Sequence, residues 1–571
     1  DVTNATVGHA VTIDSKSDVA DLTVTGSGTV SNSEFQLNIW GDLTVSSPTA
    51  WIESGEGKTE IRGTSSSISG KITFNRLRVN KNRKFGPHMV TIDDTLFVEK
   101  YFYLFKGELD ATAAAIVLKA DGITEGNLGF SPSGNMTGDL VWQKMIDRCN
   151  EWSTYSAPYD ASFNTISSSS AGNMVYTGFP DSDYPGFNFV NTYNYDEATG
   201  YTIPSSANNT LNRGEGYWYW NSSDVFLSQQ PSISQQWLIE LTQSGFNSGT
   251  FAFNVSFSTD GMNLVGNPYP GVLDWDHGSW SRTNIDNALY YWNTCTQSYT
   301  SYVNGVGTND GDEFIPAGQG FWVEATAGGP SMSVKTAALA IGNVSAKELK
   351  SAEPEEEIAT ISIMLNGDQT VLTFNRNATN EYDPGMDAKK IIAPDFVNDL
   401  SALKTVLGGL NYSINTLPYD EITIPLDVKG QGELTFVGAN LFDGIEIYLE
   451  DKITGQMIDM KKYQSYTFSN SEDKFTDRFN IIVGEKAPLA QVELNSDFSI
   501  YPNPVSDRLN ITSTKNFDRI EIYNTLGELV ISKSANSTSS VIDMTSLNSG
   551  VYIVKVYNGS SELGVMMTQK M

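Results

Sequence analysis

Short runs of alternating apolar and polar residues recur along the whole chain, and helical spacing of apolar residues is scarce. "IATISIMLNG", "GELTFVG", "IEIYLED" and "DRIEIYN" are representative. Alternation sends every second side chain to one face of a strand, so each run can bury one face against a partner. Gly, Ser, Asn and Pro separate the runs and supply the turns. A chain of this kind is expected to be all-β. The specific expectation is an N-terminal β-solenoid, then β-sandwich domains, then a small C-terminal β-sandwich.

The period of the runs divides the chain. In residues 1–120 "DLTV" occurs at 21–24 and again at 42–45, and apolar centres follow at Ile61, Leu77, Leu96 and Val117. Spacings of 16 to 21 residues from Leu22 onward read as stacked coils, in which each coil buries its inner face on its neighbours. A sandwich with regular strand spacing is the alternative. Residues 121–335 hold nine of the eleven tryptophans and look duplicated. "EWSTYSAPYD" parallels "GMNLVGNPYP" with Pro158 and Pro268 110 apart, and "NRGEGYWYW" parallels "PAGQGFWVE" with Gly216 and Gly320 104 apart. Two similar β-rich halves packed together are expected there. Residues 336–357 are polar and charged enough to act as a flexible linker. In 358–485 seven short alternating runs predict a β-sandwich, with one short helix at 395–406. A second linker, 486–497, leads to a final module at 498–571.

Composition narrows the partners. Acids outnumber bases 67 to 36, for a net charge of −31. Such a surface repels phosphate backbones, so nucleic acid is excluded as a partner, and an anionic surface would need a divalent cation to bridge it. No apolar run is long enough to span a membrane as a helix. No signal peptide opens the sequence. The start at Asp1, directly in strand-like sequence, reads as a processed or truncated N-terminus, and both leave export open. Cys149 and Cys295 occupy roughly corresponding places of the duplication. Pairing between the halves and two buried free thiols are both open readings.

Catalytic chemistry is not expected. His9, His88 and His277 fall far apart and in different modules, whereas a triad needs a histidine beside a nucleophile and a carboxylate. G-x-S-x-G, HExxH and CxxC patterns are absent. The best candidate for a Ca²⁺ loop is "TNDGDEF", through Asn309, Asp310 and Asp312, because Ca²⁺ takes hard oxygen ligands; a solvated turn is the plainer reading. Trp218 and Trp220 share one face of an alternating strand and Tyr217 and Tyr219 the other, so at least one pair must be core. Loop tryptophans Trp275, Trp280 and Trp292 are the candidates for an exposed platform that stacks on glycans.

The C-terminal series is the most specific signal. "FSIYPNPVSDRLNI" is followed by "DRIEIYNTLGELVISK", "VIDMTSLNSGVYIVKVYNG" and "GVMMTQKM". Pro502 and Pro504 lack amide donors and belong at a sheet edge or turn. The order and spacing of "YPNP" (501–504), "IYNTLGELV" (522–530), "LNSGVYIVKV" (547–556) and Lys570 resemble the type A C-terminal sorting domain of proteins exported by the type IX secretion system of Bacteroidota. The tail is less basic than is usual there. The resemblance implies recognition by an outer-membrane shuttle protein and translocon, and then removal by a sortase with attachment to surface lipopolysaccharide or release. On it, Tyr501, Pro502, Asn503, Pro504, Gly527, Gly550, Tyr552, Lys555 and Lys570 are the sorting-signal residues. "GMNLVGNPYP" with "IPAGQGFWVEA", and "YDPGMDAKK" with "YSINTLP", are similar to modules of large exported surface proteins of the same phylum.

Together these readings give an exported, cell-surface, non-enzymatic adhesin, or an accessory of a larger surface adhesin, with a gliding-motility apparatus as one setting. The alternative is a carbohydrate-binding or polysaccharide-degrading secreted protein, with glycans as partners. A third reading treats the chain chiefly as transport cargo docked to its shuttle.

Overall fold

The structure is a computed structural model. It describes residues 3–81, 88–121, 125–129, 133–146, 152–169, 174–220, 237–245, 249–340, 358–397, 402–442, 444–469, 474–484, 498–524, 529–559 and 561–570. Both expected linkers, apart from 336–340, lie outside them, as does Cys149; Cys295 is disulfide-bonded. Two units form: Asp1–Asp420 with Ile424–Asp443 and Lys461–Arg478, and Glu421–Thr423 with Gly444–Met460 and Phe479–Met571. Among the described residues regular structure is strand, apart from the helix Phe163–Ser169 and short 3-10 turns, so the chain is all-β.

The first unit opens with three parallel ladders. One runs Ala5–Val7, Leu22–Val24, Leu43–Val45, Ser66–Ser69, Met89–Ile92. A second runs Ser17–Val19, Gln36–Ile39, Lys58–Ile61, Thr73–Asn80. The third is Ala10–Ile13, Thr29–Asn32, Trp51–Glu53. Each strand pairs with one a coil further along, as Leu22 does with Leu43. The long strand Leu96–Leu118 pairs with the ends of the first two ladders and joins them into a near-barrel sheet. Ile39, Leu43, Ile61, Ile68, Leu77 and Val90 fill the interior with no exposed surface. The apolar centres divide between ladders: Leu22 and Leu43 belong to the first, Ile61 and Leu77 to the second. Each coil contributes more than one apolar strand, and a period near twenty does not say which strand is which.

A carboxyl group is enclosed in this interior. Glu53 is buried; its carboxylate accepts hydrogen bonds from the Thr59 hydroxyl and, at 3.0 Å, from the Asn75 amide. Burial outweighs these bonds and pushes its pKa up to about 7. Burial likewise raises Asp387 to about 7. Both groups bind protons more tightly folded than unfolded, so their contribution to stability is fully present below about pH 4 and is lost as pH rises through 7. Urea unfolding is expected to show a decline of up to about 3 kcal/mol per site over that window. Glu53→Gln, which mimics the neutral acid, should flatten the slope; an unchanged slope would contradict the assignment.

The aromatic region is two copies of one topology. In the first, Trp152–Ser156 pairs with Gly216–Trp220, which pairs with Thr192–Asp196, then Gly200–Thr202. In the second, Met262–Gly266 pairs with Gly320–Glu324, which pairs with Leu289–Asn293, then Ser298–Val303. The halves meet reciprocally: the Ser156 amide donates to Gly318 O at 2.9 Å and the equivalent Gly266 amide to Gly214 O at 2.8 Å. This is an isologous contact within one chain. Gly216 and Gly320 permit it. A Cβ on Gly216 would lie 2.6 Å from Val265 O, and one on Gly320 would lie 2.8 Å from Tyr155 O.

Residues 358–442 pack on this pair within the first unit. Trp152, Trp218, Trp292 and Trp322 share a core with Val371, Ala388, Val397 and Ile414. Phe396 stacks on Tyr193 at 4.3 Å. The Tyr382 hydroxyl donates to Asp286 at 2.9 Å, and the Lys389 amide to the Tyr290 hydroxyl at 2.9 Å. The expected sandwich is corrected here. Ile422–Lys429, Ala402–Leu407, Leu410–Leu417, Asp368–Phe374, Thr360–Leu365, Gly432–Val437 and Ser465–Phe468 follow one another in a single mixed sheet. Its one parallel pair among these joins Val371 to Ile414. The helix expected at 395–406 is corrected too: Ala402–Leu407 is a strand held between two antiparallel neighbours, and that pairing overrides its local preference.

In the second unit Phe498–Tyr501, Arg508–Asn524, Leu529–Asp543, Gly550–Asn558 and Ser561–Lys570 form one curled antiparallel sheet. Sequence alone suggested about seven strands in a sandwich. The register between the two longest strands breaks between Thr512 and Phe517. Leu509 and Ile511 before the break share one core with Ile520, Ile522, Val554 and Val556 beyond it. A bulge of this kind bends and twists a strand, so four long strands and one short one enclose a core that more, shorter ones were expected to enclose.

Candidate functional site

The "YPNP" turn and the last strand, 66 residues apart, come together. The Tyr501–Pro502 and Asn503–Pro504 bonds are both cis. Neither proline can donate to a ladder, so the neighbouring residues make the connection. Asn503 Oδ1 accepts from the Gln569 amide at 2.9 Å and from the Thr568 hydroxyl at 3.3 Å. The buried Val505 donates its amide to Gln569 O at 2.7 Å. On the other side of the last strand, Gly550 is paired with Lys570 and Tyr552 with Thr568. The terminal strand is thus clasped from both sides. The Asn510 side chain donates to Tyr501 O at 2.9 Å, and the Tyr501 ring remains 52% exposed.

Two further expected signal residues sit within the sheet. Tyr552 is buried, with its hydroxyl donating to Asn548 O at 2.9 Å. Lys555 lies mid-sheet opposite Glu521, its ammonium 5.8 Å from the Tyr523 ring. Gly527 lies outside the described residues. Sequence reading did not single out Thr568, Gln569 or Val505, and no local pattern marks them, because their role depends on a long-range contact. The arrangement makes the terminal strand part of a folded surface. Asn503→Ala is expected to cost the module about 0.5–1.5 kcal/mol, because it removes the acceptor shared by the Gln569 amide and the Thr568 hydroxyl. Asn503→Asp keeps the acceptor and should cost less. Proteolysis rates at the C-terminus check both.

The tryptophan platform is corrected. Trp275 and Trp292 are buried, and their indole N–H groups donate to Asn287 O and Trp152 O, each at 2.8 Å. Trp280 is partly buried and donates to Asp274 O at 2.8 Å. The Arg282 guanidinium lies 3.6 Å from the Trp275 ring and 5.1 Å from the Trp280 ring, and burial lowers its pKa to about 10. Of the alternating pairs, Trp218, Tyr217 and Tyr219 are all core, so both faces of that strand are covered. Aromatic residues dense enough to suggest a sugar platform are here the cement of a duplicated core.

The acidic loop is built as a turn. Asn309 and Asp310 have left-handed backbones, with φ of 51° and 59°. The Asn309 side-chain amide donates to Ser298 Oγ and Tyr299 O at 3.0 Å each, and Asp312 accepts from the Phe314 amide at 3.0 Å. Among the described residues no three His, Cys, Asp or Glu side chains are grouped to hold a metal ion. His277 Nδ1 accepts from the Ser279 amide at 3.1 Å.

The curled module with its clasped terminal strand matches the secretion system C-terminal sorting domain over residues 499–566. The chain therefore carries a type IX secretion sorting domain, which addresses it for export across the outer membrane to the surface or the medium. Residues 137–483, more than half of the chain, match a domain of unknown function, DUF8693, and the chain belongs to that family. No curated protein matches it in sequence. Among solved structures it is similar to PorZ of Porphyromonas gingivalis, described as an essential bacterial surface component of the type IX secretion system. That similarity is 14% identity over 27% of this chain and 22% of PorZ, with a TM-score of 0.12. The chain thus spans about a fifth of the length of PorZ. A second similarity is to a biofilm-associated protein, BSP domain, at 9% identity over 76% of this chain and 63% of that one, TM-score 0.12.

Proposed function

We propose that this chain is a non-catalytic surface adhesin, or the accessory of a larger surface adhesin, delivered by its sorting domain. The observation that carries the reading is that sorting domain, on a body whose parallel ladders and duplicated aromatic core are stiff. The stacked coils act as a solenoid spacer, and residues 121–485 make the contacts. The shuttle and translocon are its partners during export. In a gliding bacterium the body would serve the motility adhesins. Support for a non-catalytic role comes from the carboxylates of Glu197, Asp196 and Glu215, which are engaged in hydrogen bonds from backbone amides. The separated histidines point the same way.

Affinity capture of the intact protein from its native outer membrane tests the reading. A large surface adhesin among the captured proteins is the expected result. Capture of soluble glycans alone, or of nothing, would count against it.

A further inference from the structure

Residues of the first aromatic half and of the chain from Thr242 to Val265 line an open cavity of about 1040 Å³. The volume is at the top of the ~300–1,000 Å³ range of ligand pockets. Tyr159, Asn194, Tyr195, Arg213, Phe251 and Asn254 are in its wall. Three polar atoms there have no hydrogen-bond partner: the Tyr159 hydroxyl, Arg213 Nη1 and Asn194 Oδ1. Tyr159 itself is 6% exposed. A buried polar group without a partner costs about 1–3 kcal/mol, so three around one cavity call for an explanation.

The internal duplication supplies a comparison. The residue equivalent to Tyr159 is Tyr269, one repeat of 110 further on. Its hydroxyl is satisfied, lying 3.2 Å from Gly249 O and 3.3 Å from Val334 O. The residue equivalent to Arg213 is Ala317. One copy therefore caps its tyrosine hydroxyl with backbone carbonyls and the other leaves it uncapped; the Arg213 guanidinium lies near both, 5.6 Å from the Tyr269 ring.

Charge selects the ligand. Asp160, Asp196, Glu197 and Glu215 surround the cavity, against the single cation Arg213. All four carboxylates already accept hydrogen bonds from backbone amides: Asp160 from Arg213 and Glu197 from Gly261 in other loops, Asp196 from Thr199 and Glu215 from Asn212 within their own turns. An anionic ligand would be repelled. The unpaired set holds two donors and one acceptor. Hydroxyl groups, which both accept and donate, suit donors and acceptors of this kind.

We propose that the cavity bounded by Tyr159, Asn194 and Arg213 is a binding site for an uncharged saccharide of a few units. The three atoms are shielded in the empty protein, so binding requires the Tyr159, Asn194 and Arg213 side chains to turn toward the lumen. The site uses none of the tryptophans expected to form a platform. It is independent of surface delivery, since it belongs to the purified chain.

The test is calorimetric titration of the full chain with maltotriose, cellotriose, xylotriose and galactotriose, and with trigalacturonate as the anionic counterpart. At least one neutral trisaccharide is expected to bind below 1 mM and at least tenfold more tightly than trigalacturonate. Tyr159→Phe should weaken it at least fivefold with Tm unchanged or raised, because the hydroxyl has no partner in the empty protein. Arg213→Gln should weaken it similarly. Tyr269→Phe should lower Tm and leave the affinity within twofold. The proposal is overturned if no neutral trisaccharide binds below 10 mM, if trigalacturonate binds more tightly, or if Tyr159→Phe lowers Tm and leaves binding unchanged.

Discussion

Asp368→Ala is expected to destabilise the first unit by about 3–5 kcal/mol, read as a shift in its urea midpoint. Lys390 and Asp368 are both buried and pair at 2.5 Å. The second carboxylate oxygen accepts the Leu403 amide at 2.7 Å. Removing the acid strands a buried ammonium and an amide together. Replacing both partners by apolar groups, as in Asp368→Leu with Lys390→Met, should recover most of the loss, because the dehydrated charge disappears with its partner. The remainder belongs to the Leu403 amide. A double variant as unstable as Asp368→Ala would show that the pair is not what holds this strand.

Trp218→Ala should cost a similar ~3–5 kcal/mol. The side chain is fully buried, with ring centres 5.3 Å from Trp292, 5.7 Å from Phe396 and 6.5 Å from Trp152. It thus touches both aromatic halves and the module that follows them. Loss of the indole opens a cavity where three parts of the unit meet, and the interleaved rings leave little freedom to collapse into it. Trp218→Phe keeps part of the volume and should cost less than half as much. If the indole lay on an exposed platform, alanine would change Tm by no more than a surface substitution does.

Much of the fold can be read from alternation. The strands, the all-β class and the offsets of 110 and 104 residues follow from the order of residue types, and the halves do share one strand order. What alternation leaves open is which strand neighbours which. Leu22 and Leu77 carry the same apolar signal, yet they belong to different ladders. The bend near Thr512 depends on a register break between two strands, and neither strand shows it alone. Residues 402–407 lie between two antiparallel neighbours that local propensity does not encode.

The sites divide in the same way. "YPNP", which lies inside the matched sorting domain, could be named from its order, since a sorting signal is a local series. That Asn503 clasps Gln569 could not, nor that Trp275 and Trp292 face inward. Tyr159 and Arg213 drew no notice in the sequence, because a tyrosine without a partner resembles any other until its surroundings are known. The duplication was the one available signal: aligning Tyr159 with Tyr269 and Arg213 with Ala317 shows where the copies diverge.

Delivery by residues 498–571 is tested most directly in cells with an active type IX apparatus, by protease accessibility of the full chain and of a chain ending at Asp497. The full chain should be cut or labelled from outside. The shortened chain should be retained and protected, with its body still folded. Equal exposure of the two at the cell surface would contradict the account.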